Sequence, residues 1–161
     1  MKAKVYLETT IISYLTAWRS SQLVMAAQQE ATRTWWDDER PNFDVFVSEA
    51  VIEEAAAGDP VAAQRRLEVL REITELQITD GARLLAKELA EKTPLPKNAQ
   101  VDAVHIATAT VNGMDYLLTW NCRHIANATL RNTMTAICAA AGYEIPVICT
   151  PIELIEEHQH D

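Results

Sequence analysis

Three acids and one amide stand in stretches of this chain that are otherwise apolar: Glu8, Glu54 with Glu53 beside it, Asp102 and Asn121. Asp102 falls in the first turn of residues 99–111. There Val101, Ala103, Val104, Ile106, Ala107, Ala109 and Val111 leave almost no polar face, so the spacing predicts a buried helix. Asn98 is placed to cap it. Asn112-Gly113 stops it, and residues 115–120 follow as a short buried strand with Asn121 just beyond. A carboxylate in such surroundings costs on the order of several kcal/mol unless it is paired, hydrogen-bonded or bound to a cation. Asp102 alone has a plain reading, since a helix start supplies amides and a favourable dipole. Convergence of other acids on it would point instead to a hard divalent cation, which relieves their mutual repulsion.

The elements that would bring those acids together can be taken in chain order. Residues 4–8 read as a first strand ending in Glu8, and Thr9 and Thr10 are suited to cap the helix begun by residues 11–15. By itself Glu8 is a solvated strand end, but carboxyl ends of strands are also where open α/β sheets gather their sites. Ser20 or Ser21 would cap a helix over residues 22–38, ended by Arg40-Pro41, with Trp35 and Trp36 as packing residues. Residues 43–47 alternate as a second strand. Ser48 then caps a helix over residues 49–57, closed by Gly58-Asp59-Pro60. Glu49, Glu53 and Glu54 make an ordinary dipole-favoured face there. Adjacent helix positions point about 100° apart, so only one of Glu53 and Glu54 can face a cleft comfortably.

Pro60 opens another helix, with Leu67, Leu70 and Ile73 on its apolar stripe and Arg65-Arg66 as the densest basic spot in the chain. Residues 76–79 suit a third strand. Asp80 would cap a helix over residues 82–91, and Thr93-Pro94-Leu95-Pro96 is a stiff loop into the central helix. A helix over residues 128–140 ends at Gly142, and residues 147–149 make a last strand. The tail, residues 156–161 with His158 and His160, reads as frayed. Strands alternating with helices imply an α/β fold: a central parallel sheet with helices on both faces, three layers in all. Residues 1–155 form one domain, with no repeat or linker to divide them.

At 161 residues the chain suits one domain with a real core. Its apolar runs fall short of a membrane span and its start lacks a signal-peptide core, so a cytoplasmic protein is expected. A net charge of −9 argues against non-specific coating of nucleic acid, yet allows a nuclease with local bases around an acidic, metal-loaded cleft. Cys122, Cys138 and Cys149 show no paired spacing; Cys122 and His124 lack a second ligand pair, so reduced thiols are expected rather than zinc. There is no glycine-rich phosphate loop and no serine nucleophile elbow.

The segments VYLETTIISYL, VSEAVIEEAAAGD, VDAVHIATA and YLLTWNCRHI together resemble, in order and spacing, the four acidic motifs of PIN-domain proteins. The nearest likeness is to the VapC-type toxins of toxin–antitoxin pairs, and it spans essentially the whole chain. The resemblance implies a PIN-like fold and a metal-dependent endoribonuclease that cuts RNA phosphodiesters. Position by position it implies catalytic roles for Glu8, Glu54, Asp102 and Asn121, with Glu8, Asp102 and Glu54 holding Mg²⁺ or Mn²⁺. Glu53 competes with Glu54, and Thr9 or Thr10 supplies a supporting hydroxyl. Arg123, Arg19, Arg65 and Arg66 are the phosphate contacts expected. A cognate antitoxin protein and a homodimer are the partners implied. Two positions depart from the family pattern. Glu8 stands where Asp is usual, and the neutral Asn121 leaves three formal negative charges rather than four. A PIN-fold binding module without turnover is the alternative those departures keep open.

Overall fold

A computed structural model describes residues 1–156, and the tail histidines His158 and His160 lie outside the described residues. Five parallel strands form a single sheet: β1 (Ala3–Leu7), β2 (Phe43–Ser48), β3 (Thr74–Leu76), β4 (Tyr116–Leu118) and β5 (Val147–Cys149). Their order across the sheet is β3-β2-β1-β4-β5. The chain therefore moves outward from β1 to one edge, then returns past it to build the other. That reversal places a topological switch point beside β1, between β1 and β4. The central strands are covered on both faces, and Val5, Tyr6, Leu7, Leu117 and Leu118 are fully buried, as a parallel sheet requires.

The helices are α1 (Thr9–Thr16), α2 (Leu23–Thr34), α3 (Glu49–Ala55), α4 (Pro60–Leu70), α5 (Asp80–Lys92), α6 (Gln100–Val111) and α7 (Ala128–Ala140). Alternation of strand and helix is as the sequence predicts, and α7 and β5 fall on the residues expected. Several boundaries differ for local reasons. Thr79, not Asp80, caps α5, its hydroxyl accepting from Ala82 N–H. Asn98 does not cap α6; a 3₁₀ turn over Lys97–Ala99 leads straight into the helix. The strands expected at residues 115–120 and 76–79 are three residues each, and the second lies earlier. The long second helix ends at Thr34 and relaxes into a π turn over Trp35–Glu39. Trp35 is buried there, as expected of a packing residue, and its indole N–H donates to Leu154 O.

One hydrophobic core runs from Val5 to Leu154. Helix α6 contributes Ala103, Ile106, Ala107 and Ala109, although Val101 remains exposed at its first turn. Glu156, the first residue of the expected frayed tail, still donates its backbone N–H to Glu39 Oε2 at 3.2 Å. Cys138 and Cys149 are buried free thiols and Cys122 is an exposed one. Burial pushes the Cys149 thiol up to about 12, which leaves it unreactive.

Candidate active site

Glu8 leaves the carboxyl end of β1 in extended conformation, at the position before α1. Its backbone N–H continues the ladder to Leu118 O at 3.0 Å, so the residue is fixed by the sheet itself. Its side chain is buried, only 3% exposed, and two hydroxyls converge on Oε1: Thr10 at 2.5 Å and Thr119 at 2.6 Å. Thr9 and Thr10 had been expected to cap α1. No side chain caps it; Thr9 reaches Glu54 Oε1 at 2.7 Å and Thr10 reaches Glu8. A hydroxyl beside an ionised acid forms a stronger hydrogen bond than one beside an amide, and here the carboxylates take it.

Glu54 comes in on α3, which follows β2. Its Oε1 meets His105 Nε2 at 2.5 Å as well as the Thr9 hydroxyl. Burial alone would push this carboxyl up; the hydrogen bonds from His105 and Thr9 outweigh that and hold it below the ordinary value. Glu53, one position away, is exposed and makes no side-chain hydrogen bond among the described residues.

Helix α6 returns along the sheet toward the amino ends of the strands, so its first turns sit near the strands' carboxyl ends. It brings Asp102 and, one turn later, His105. Burial raises the Asp102 carboxyl above its usual range and the Glu54 charge adds to this, against lowering by His124 and His105. The imidazole Nδ1 of His124 lies 3.1 Å from Asp102 Oδ2. Asn121 follows β4, and its Oδ1 accepts the His124 backbone N–H at 3.0 Å. Asn121 thus orients the loop that carries Asp102's partner.

Glu8, Glu54 and His105 each offer a ligand atom within 4.8 Å of the others. Asp102 lies outside this group but close enough for the Glu54 charge to raise its carboxyl. On Glu8 and Glu54 the hydrogen bonds all fall on Oε1, and Oε2 of each makes none with the described residues. Two carboxylate oxygens left open beside a third acid match the oxygen donors that Mg²⁺ and Mn²⁺ prefer. The acidic residues therefore fit such an ion.

Of the arginines expected at phosphate, Arg66 donates Nε to Ala55 O at 2.9 Å and Nη2 to Ala57 O at 2.7 Å, closing the end of α3. The Arg65 guanidinium lies 4.8 Å from the Trp18 ring centroid. Arg19 and Arg123 are exposed.

Sequence reasoning placed none of Tyr6, Ser48, Thr119, His105 and His124 in the site. Ser48 had been expected to cap α3; its hydroxyl instead lies 2.8 Å from the Tyr6 hydroxyl, itself 2.6 Å from His105 Nδ1. The available signal was His105 three residues after Asp102, on the same helix face.

A PIN domain family model matches residues 5–128. The chain belongs to the PIN domain family. Among solved structures it is similar to VapC20 of Mycobacterium tuberculosis, described as a toxin that cleaves the sarcin–ricin loop. That match has TM-score 0.60 and 14% identity and covers 77% of this chain and 95% of that one. It is also similar to VapBC2 of Rickettsia felis, solved with a promoter DNA fragment, at TM-score 0.58 and 12% identity over 91% and 98% of the two chains. VapBC-1 of nontypeable Haemophilus influenzae aligns at TM-score 0.57 and 16% identity over 93% and 99%. No curated protein matches the chain. The PIN-like α/β fold expected from the four acidic segments is thus borne out. No helix of the described residues is long and apolar enough to cross a membrane.

Proposed function

We propose that this PIN domain, residues 1–155, is a metal-dependent endoribonuclease and the toxin of a type II toxin–antitoxin pair, acting in the cytoplasm. The observation that carries the reading is the meeting of Glu8 and Glu54, from the ends of two different segments, with their Oε1 atoms held by protein donors. Asp102, on a third segment, is near enough to feel the charge of Glu54. Glu8, Glu54 and Asp102 would hold Mg²⁺ or Mn²⁺. When bound, such an ion supplies an activated water and offsets charge on a phosphodiester. The protein's own part is positional. Thr10 and Thr119 fix Glu8, Thr9 and His105 fix Glu54, and His124 fixes Asp102. Asn121 acts through the backbone of His124. Arg19 and Arg123 are exposed and make no side-chain bond with the described residues, which suits them to phosphate contact.

An antitoxin partner is supported by the VapBC complexes among similar structures and by apolar surface that a protein would cover: Trp18, Leu23 and Val24 are 80%, 86% and 71% exposed. A homodimer goes with the same reading. The alternative, a PIN-fold module that binds RNA or protein without turnover, is favoured by one observation. Asn121 is neutral and its Oδ1 already accepts the His124 N–H, which leaves it one lone pair and no charge to offer a cation. Incubation of the purified protein with a panel of structured RNAs, in Mn²⁺ and in excess EDTA, separates the two. Endonucleolytic fragments that need Mn²⁺ and vanish in Asp102→Asn support the enzyme. Binding without fragments supports the module.

A further inference from the structure

Resting on that reading of the carboxylate cluster, we propose that His105, fixed in its Nε2–H tautomer by a buried chain through Tyr6 to Ser48, is the positioning residue that aims Glu54. The chain crosses four elements: Ser48 at the end of β2, Tyr6 in β1, His105 in α6 and Glu54 in α3. Ser48, Tyr6 and His105 are all fully buried. The heavy-atom steps are 2.8 Å from Ser48 Oγ to the Tyr6 hydroxyl, 2.6 Å from there to His105 Nδ1, and 2.5 Å from Nε2 to Glu54 Oε1.

Counting hydrogens decides the tautomer. Tyr6 has one hydrogen and two neighbours, and an ionised Glu54 accepts only. If Ser48 donates to Tyr6 and Tyr6 donates to Nδ1, then Nε2 carries the ring hydrogen and gives it to Glu54. Every hydrogen is then used once. If both ring nitrogens are protonated, Tyr6 must donate to Ser48, whose own hydrogen finds no acceptor among the described residues. A buried hydroxyl left so is costly, and the first arrangement wins.

Two consequences follow. The Nε2 lone pair is not available, so His105 is no cation ligand despite lying within 4.8 Å of both carboxylates. Glu54, whose side chain is 40% exposed on a flexible arm, is held by two donors on Oε1, which fixes the carboxylate and leaves Oε2 open. Groups that orient a ligand in this way are worth about 10- to 100-fold in metal affinity.

The test uses full-length, metal-free protein with ¹⁵N-labelled histidine, and Mn²⁺ alone as probe. NMR should find His105 protonated at Nε2 and bare at Nδ1. Calorimetry should show Mn²⁺ binding weakened about 10- to 100-fold in Tyr6→Phe and His105→Leu, with partial recovery in His105→Gln, whose amide can still donate to Oε1. Tyr6→Phe preserves ring volume, so that comparison stands if leucine at 105 prevents folding. A ring protonated at Nδ1, or wild-type affinity in both Tyr6→Phe and His105→Leu, overturns the proposal. Failure of the wild type to bind Mn²⁺ overturns the metal reading instead. The positioning role is then decided by the tautomer and by whether the Glu54 carboxyl ¹³C signal moves in Tyr6→Phe.

Discussion

The Thr119 hydroxyl donates to Glu8 Oε1 at 2.6 Å and joins the end of β4 to the end of β1. Thr119 Oγ1 also accepts the Asn121 backbone N–H at 2.9 Å. Thr10 makes the matching pair of bonds, donating to Glu8 and accepting from Trp120 N–H at 2.9 Å. The turn after β4 is therefore built around a carboxylate on the neighbouring strand.

Thr119→Val keeps the side-chain volume and removes both bonds. Thr119 is fully buried, so the loss should lower unfolding free energy by about 1–3 kcal/mol, read from urea denaturation. Thr119→Ser should recover most of it. A valine variant as stable as the wild type would mean that the hydroxyl supports neither Glu8 nor the turn.

Asp102 and Glu54 should pull stability in opposite directions with pH. The Asp102 carboxyl is raised, so the folded state holds its proton more tightly than the unfolded chain. Its contribution is present below the unfolded value of about 3.9 and is lost as pH rises through the folded value. Glu54 is lowered, so its contribution is present above about 4.3 and lost as pH falls through its folded value. In metal-free protein, Asp102→Asn should gain stability relative to wild type between about pH 4 and about pH 7, while Glu54→Gln should lose it. Melting temperatures across that range are the measurement, and parallel curves for all three proteins would refute both signs.

Glu53 and Glu54 offer a sharper contrast. Glu54 meets Thr9 and His105, whereas Glu53 makes no side-chain hydrogen bond among the described residues. Millimolar Mn²⁺ should raise the melting temperature of wild type and Glu53→Gln alike, through preferential binding to the folded state. Glu54→Gln should show a much smaller rise and no RNA cleavage. Equal rises in all three would move the site away from α3.

The acids were legible in the sequence because a carboxylate in an apolar stretch is expensive and therefore conspicuous. The alternation of strand and helix was legible for a related reason, since hydrophobic period is a local property. What holds the acids was not. Thr9, Thr10 and Ser48 all sit where a hydroxyl usually caps a helix, and each instead bonds a group from elsewhere in the chain or, for Thr10, the carboxylate two residues back. A window of neighbouring residues contains Ser48 but not Tyr6, which lies 42 positions away. His105 was hidden by its own surroundings: on a helix of Ala, Val and Ile, a lone histidine reads as core. Glu54 over Glu53 was only half decided by helix geometry, and the choice rests on a histidine 51 residues further on.

Glu8 is the residue where this chain departs from the usual aspartate of its resemblance, and the site is built to its length. Thr10 and Thr119 meet its Oε1 at 2.5 and 2.6 Å from two directions. Glu8→Asp withdraws the carboxylate by about 1.5 Å, one C–C bond. Both hydroxyl bonds would stretch beyond useful length, leaving two donors without their acceptor. Misplacement of roughly 1 Å can cost about a hundredfold in rate when the surrounding shell is rigid, and this shell is anchored in the sheet. Glu8→Asp should therefore reduce RNA cleavage in Mn²⁺, and Glu8→Gln should reduce it further, since it keeps the length but removes the charge. Assaying the two variants beside Asp102→Asn controls for contaminating nuclease, which would survive in all three. Full activity in Glu8→Gln would remove Glu8 from the site. An inactive wild type with cleavage appearing in Glu8→Asp would instead identify a binding module whose turnover was lost through the added methylene.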